Sequence, residues 1–115
     1  MKFIFAFVLI ALFIAPVAQA QKPQPPRSQT YVGFITDTMC GRDHKAMNVT
    51  PDAKCVRDCV GDGKTYKYAL ADANGMYTLS DQETPAKFAG ERVKVTGVLY
   101  AKTNILKVER IERAN

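Results

Sequence analysis

The sequence predicts a mainly β fold, a small five-stranded barrel with one short helix between strands three and four. A helical insertion carrying cysteine and histidine is expected between strands one and two. Two observations predict this. Five short stretches rich in β-branched and aromatic residues alternate with the period of two that half-buried strands show. All three cysteines and the single histidine of the 115-residue chain fall between Cys40 and Cys59, between the first two of those stretches.

The elements follow in order. Tyr31–Thr36 is the first strand, and Gly33 within it predicts a bulge or a sharp bend. Thr65–Ala71 is the second, with Tyr66, Tyr68 and Leu70 on one face as core or half-buried wall. Asn74-Gly75 reads as a tight hairpin turn with positive φ at both residues, returning into a third strand over Met76–Ser80. Thr84–Gly90 reads as a short helix, with Thr84 as cap, Pro85 in the first turn and Gly90 at the end. Arg92–Leu99 alternates so as to bury Val93, Val95 and Leu99. In the last strand, Ile105–Ile111, Leu106 and Val108 are in phase and Ile111 is not, which predicts a bulge near Glu109 and Arg110. Strand, insertion, strand, strand, short helix, strand, strand is the connectivity of the OB-fold.

The ends of the chain bound where this domain works. Residues 1–20 read as a signal peptide: Lys2, an apolar run from Phe3 to Ala15, then Ala18-Gln19-Ala20 as a cleavage pattern. The apolar run is shorter than the roughly 20 residues of a membrane-spanning helix, so no span is expected after cleavage. Residues 21–30 contain three prolines and no aliphatic side chain and read as a flexible leader, with the domain over 31–113. The expected location is secreted or periplasmic. The formal charge of +5 is spread among alternating signs, as in Lys107, Glu109, Arg110 and Glu112, which suits solubility and disfavours a nucleic-acid partner.

The cysteine and histidine window carries the chemistry. Cys40 and His44 are four apart, as are Cys55 and Cys59, a spacing that puts two side chains on one helical face. Thr50-Pro51-Asp52 opens a short helix and Gly61 closes it, with Val56 and Val60 anchoring it and Cys55 and Cys59 turned toward the Cys40 segment. Thiolate and imidazole are soft donors, so Cys40, His44, Cys55 and Cys59 form a candidate metal site for zinc or copper(I). A disulfide staple is the rival, since export favours oxidation. Cys40 would then pair with Cys55 or Cys59, closing a loop whose stabilisation is about 3 kcal/mol and leaving one free thiol. Cys55 with Cys59 is the poorest pair, because their Cβ vectors run nearly parallel on one helix. The odd cysteine count favours the metal.

Catalysis is not expected. The chain has no Cys-x-x-Cys dithiol, no haem-attachment motif and no phosphate-cradling glycine loop, and Asp37, Asp43, Asp52 and Asp58 suit capping and solvated faces.

"VGFITDTMCGRDH", "CVRDCVGDGKTYKYAL" and "KFAGERVKVTGVL" resemble an uncharacterised family of small exported bacterial proteins with an OB-fold-like domain. Its pattern is a Gly-x3-Asp-x2-Cys-Gly start, a Cys-x3-Cys helix and a Gly-x2-Val-x-Val-x-Gly strand. The resemblance spans residues 31–111 and carries over to Asp37, Cys40, Gly41, His44, Cys55 and Cys59. It implies a fold and no established activity.

The expected function is a non-enzymatic binding module holding a metal ion, with a small ligand or an envelope protein as the other admissible partners. The alternatives are an envelope protein with a disulfide and a redox-active free thiol, or a structural adaptor with neither cofactor.

Overall fold

The computed structural model describes residues 14–41 and 52–115. Five strands form one sheet that closes on itself in the order β1-β2-β3-β5-β4: β1 (Ser28–Asp37), β2 (Tyr68–Ala71), β3 (Met76–Leu79), β4 (Arg92–Tyr100) and β5 (Ile105–Arg113). All neighbours are antiparallel except β3 and β5, where Thr78 and Leu79 run parallel to Ile105 and Leu106 and complete the ring. The helix α1 (Asp52–Val60) lies between β1 and β2, and a 3₁₀ helix (Thr84–Phe88) between β3 and β4. No helix among the described residues is long and apolar enough to cross a membrane.

β1 is the strand on which the ring turns. Ser28–Phe34 pairs with β4, and Phe34–Asp37 pairs with β2, so one strand serves two neighbours in succession. Gly33 sits at this handover. Its register against Val93 is regular, so the expected bulge is absent. Close approach is the reason for glycine there, because a Cβ would lie 2.2 Å from the Ala71 carbonyl oxygen. β1 also begins at Ser28, inside the stretch read as leader, because Ser28–Thr30 pairs with Val98–Thr96.

The core follows the alternation in the sequence. Ile35, Leu70, Leu79, Val93, Val95 and Leu106 are buried inside the ring, and Val56 and Val60 of α1 join them. Leu99 is only half-buried against that cluster. The predicted bulge of β5 is present: Arg110 faces Thr96 and Val108 faces Gly97, leaving Glu109 as the extra residue.

Three local expectations change. Asn74-Gly75 does not take a pair of positive φ angles. Instead Asp72 Oδ1 accepts from the Asn74 and Gly75 amides at 2.8 and 2.9 Å, and the Asp72 amide donates to the Gly75 carbonyl. A carboxylate-closed turn replaces the glycine-driven one. The Thr84–Phe88 helix is 3₁₀ and Thr84 is not its cap; Asp81 Oδ1 accepts from the Glu83 and Thr84 amides. Those bonds draw the Asp81 carboxyl below its ordinary range, against the opposing pull of burial, which is the largest single influence. β2 starts at Tyr68, leaving Tyr66 outside it. At Lys67 the ladder becomes irregular, because its amide donates to the Thr38 hydroxyl at 3.0 Å in place of a backbone carbonyl.

Candidate metal centre

The end of β1 builds one half of the site. Asp37 is fully buried, and its Oδ1 accepts from the Met39 amide at 2.9 Å and the Cys40 amide at 2.7 Å. The Gly41 amide donates to the Asp37 carbonyl at 3.0 Å, and Gly41 takes φ 61°, the left-handed value that reverses the chain. The Thr36 hydroxyl donates to the Gly41 carbonyl, so both ends of the turn are held. This turn presents Cys40.

The helix builds the other half. Asp52 lies in its first turn, where a carboxylate complements the helix dipole. Val56 and Val60 enter the core, and that fixes the rotation of α1 about its axis. Cys55 and Cys59, one turn apart, are thereby aimed at Cys40. The Arg57 Nε donates to the Ala86 carbonyl at 3.1 Å and ties α1 to the 3₁₀ helix. Gly90 takes φ 74° against the start of α1, where a Cβ would lie 2.7 Å from the Ala53 nitrogen. The Gly90 amide meanwhile donates to the Ile35 carbonyl at 2.9 Å.

The three sulfurs form a compact triangle. Cys40 Sγ lies 3.3 Å from Cys59 Sγ and 3.9 Å from Cys55 Sγ, and Cys55 and Cys59 are 3.9 Å apart. All three are free thiols, and no pair stands at the bond length of about 2.05 Å that a disulfide needs. A tetrahedral ion with Zn–S bonds of about 2.3 Å sets its sulfurs about 3.8 Å apart. The triangle therefore has the size of one face of a zinc–thiolate tetrahedron, and copper(I) matches the same donors in softness. Cys55 is fully buried, while Cys40 and Cys59 are half-buried.

Without a metal, burial favours the protonated form of Cys40 and Cys55. Burial pushes the Cys40 thiol far above its ordinary value, and its hydrogen bonds with Cys59 and Cys55 and the Asp37 charge push the same way. Cys55 is raised as well, again chiefly by burial. Neither thiol has the depressed pKa of a reactive cysteine.

Of the four predicted donors, the structure brings Cys40, Cys55 and Cys59 together, and they form a group able to hold a metal ion. His44 lies outside the described residues, as do Asp43, Thr50 and Pro51. Sequence reasoning missed three supports of the site: the Thr38 hydroxyl that accepts from the Lys67 amide, the Arg57 tie to Ala86, and the contact of Gly90 with α1. Each joins segments far apart in the chain, so no local pattern signals it. Asp58, read as a solvated residue, is exposed and paired with Lys54 one turn away.

Residues 62–114 match the model of a family described as "Protein of unknown function (DUF5818)". The match covers β2 to β5 and begins beyond α1 and all three cysteines. No curated protein matches the chain, and neither does any solved structure. Over residues 62–114 the chain is thus similar to an uncharacterised family, whereas the resemblance expected over residues 31–61, with the cysteine motifs, lies outside the match.

Proposed function

We propose that this protein is an exported, non-enzymatic OB-like module that binds one soft metal ion, zinc or copper(I), through Cys40, Cys55 and Cys59, with His44 as fourth donor. The sulfur triangle carries the reading: edges of 3.3, 3.9 and 3.9 Å are close to those of a metal–thiolate face. Three sulfur donors from two separate elements are also more than packing requires. The raised pKa of the buried Cys55 thiol weighs against the rival reading in which it is a reactive free thiol. His44 enters through its spacing, four residues after Cys40 in the segment that connects the turn to α1.

Export rests on the charge, apolar run and cleavage pattern of residues 1–20. The role follows from the donors: an ion held by three thiolates and an imidazole has its coordination filled, which suits structural holding or carriage more than hydrolysis.

The test is metal content of protein purified under reducing conditions and loaded with zinc or copper(I). About one equivalent is expected, and Cys40→Ser should abolish it, since a structural site needs its full donor set. Failure of the reduced protein to retain either ion after gel filtration would end this proposal. His44→Ala should weaken binding at least tenfold in a chelator competition; unchanged affinity would remove His44 from the site.

A further inference from the structure

The three sulfurs are not equivalent, and their differences point to a second chemistry. Cys40 and Cys59 are the closest pair, at 3.3 Å, and both are half-buried. Cys55 is 3.9 Å from each of them and has no exposed surface. Cys55 and Cys59 share one helix at a spacing whose Cβ vectors run nearly parallel, a poor geometry for a bridge. Cys40 sits on a turn, where a small shift of one sulfur does not require a helix to unwind.

We propose that the site is a thiol–disulfide switch, in which Cys40 and Cys59 close a disulfide and expel the ion while Cys55 remains a thiol. The expelled ion rests on the metal reading above; the choice of pair rests on sulfur geometry alone.

The oxidant is a small-molecule disulfide, RSSR, of the glutathione class. One thiol of the pair attacks a sulfur of RSSR as its thiolate, forming a mixed disulfide and releasing the first RSH. The other attacks the protein sulfur of that mixed disulfide, forming the Cys40–Cys59 bond and releasing the second RSH. Two protein thiols lose two electrons and two protons, RSSR gains them, and nothing is left over. Two of the four proposed donors are consumed, and Cys55 with His44 falls short of the full donor set that a structural site needs.

The test uses the full chain, reduced, with and without one equivalent of zinc, exposed to oxidised glutathione. Arg42, Lys54, Arg57 and Lys64 let trypsin put each cysteine on its own peptide. The expected product links the Cys40 and Cys59 peptides, leaves Cys55 open to alkylation after denaturation, and releases zinc to a chromophoric chelator. Cys55→Ser should still form the cross-link. A dominant Cys40–Cys55 or Cys55–Cys59 product overturns the proposal, as does retention of zinc after cross-linking or the absence of any cross-link. A Cys40–Cys59 product from a reduced protein that takes up neither zinc nor copper(I) would defeat the metal reading and the expulsion that rests on it, while the pairing stands.

Discussion

At the scale of single residues, Asp37 governs whether Cys40 reaches the helix. Its Oδ1 accepts two amide hydrogen bonds inside the turn, and the side chain is fully buried. Hydrogen bonds to a charged acceptor contribute about 1.5–3 kcal/mol, and orphaning buried amides adds to the loss. Asp37→Ala should therefore lower stability in urea by about 2–4 kcal/mol and weaken metal binding with it. Asp37→Asn keeps an acceptor oxygen and should recover most of both. Equal losses in the two variants would mean that charge, not turn closure, is the contribution.

The buried thiols make a second prediction at this scale, for the metal-free protein. The folded state raises the pKa of Cys55, mainly by burial. A group raised on folding contributes stability that is intact below its unfolded value, 9.0 for a thiol, and is lost as pH rises above it. The melting temperature of metal-free protein should fall between pH 8 and pH 10, and Cys55→Ala should fall less. Parallel curves would assign the loss to other groups.

At the scale of elements, α1 is held less by its own sequence than by what it meets. It has nine residues, too few to persist alone. Val56 and Val60 bury one side of it, and Gly90 allows the chain to pass against its first turn. A methyl group at Gly90 would demand the left-handed conformation of an ordinary residue and would also press on the Ala53 backbone. Gly90→Ala should cost about 1–3 kcal/mol and loosen the metal site through the helix, although no donor is touched. Thermal melts and zinc competition on the same variant check both parts; a variant that melts earlier with unchanged affinity would uncouple helix docking from the site.

At the scale of the whole molecule, closing the ring depends on the length of β1. Pairing begins at Ser28, so three residues of the polar, proline-bounded stretch belong to the sheet. A chain starting at Ser28 should melt like one starting at Gln21. A chain starting at Tyr31 should melt lower, because Ser28–Thr30 no longer covers Thr96–Val98 of β4. Equal melting of all three would mean that those pairs add nothing to stability.

Legibility in the sequence divides along physical lines. The strands of β4 and β5 are readable because alternation is a local signal, and the Glu109 bulge is readable because Ile111 breaks the phase. The valines of α1 are readable for the same reason, at helical spacing. The Asp72 turn is not, since Asn-Gly carries the stronger hairpin signal while a carboxylate two residues before Asn74 closes the loop. The 3₁₀ form of Thr84–Phe88 is likewise invisible, because Pro85 suits the first turn of either helix.

By itself the sequence determined that five strands and a cysteine-bearing helix would form, and that Cys40, Cys55 and Cys59 were candidates for one site. Spacing along the chain sets which side chains share a face, and that is enough for each element taken separately. Only the tertiary structure decided that the three sulfurs converge, and that Cys40 lies nearest Cys59 while Cys55 is sealed. Those facts depend on how β1 passes from β4 to β2 and on how the valines rotate α1 into the core. Both arise from contacts between residues distant in sequence, which no local pattern encodes.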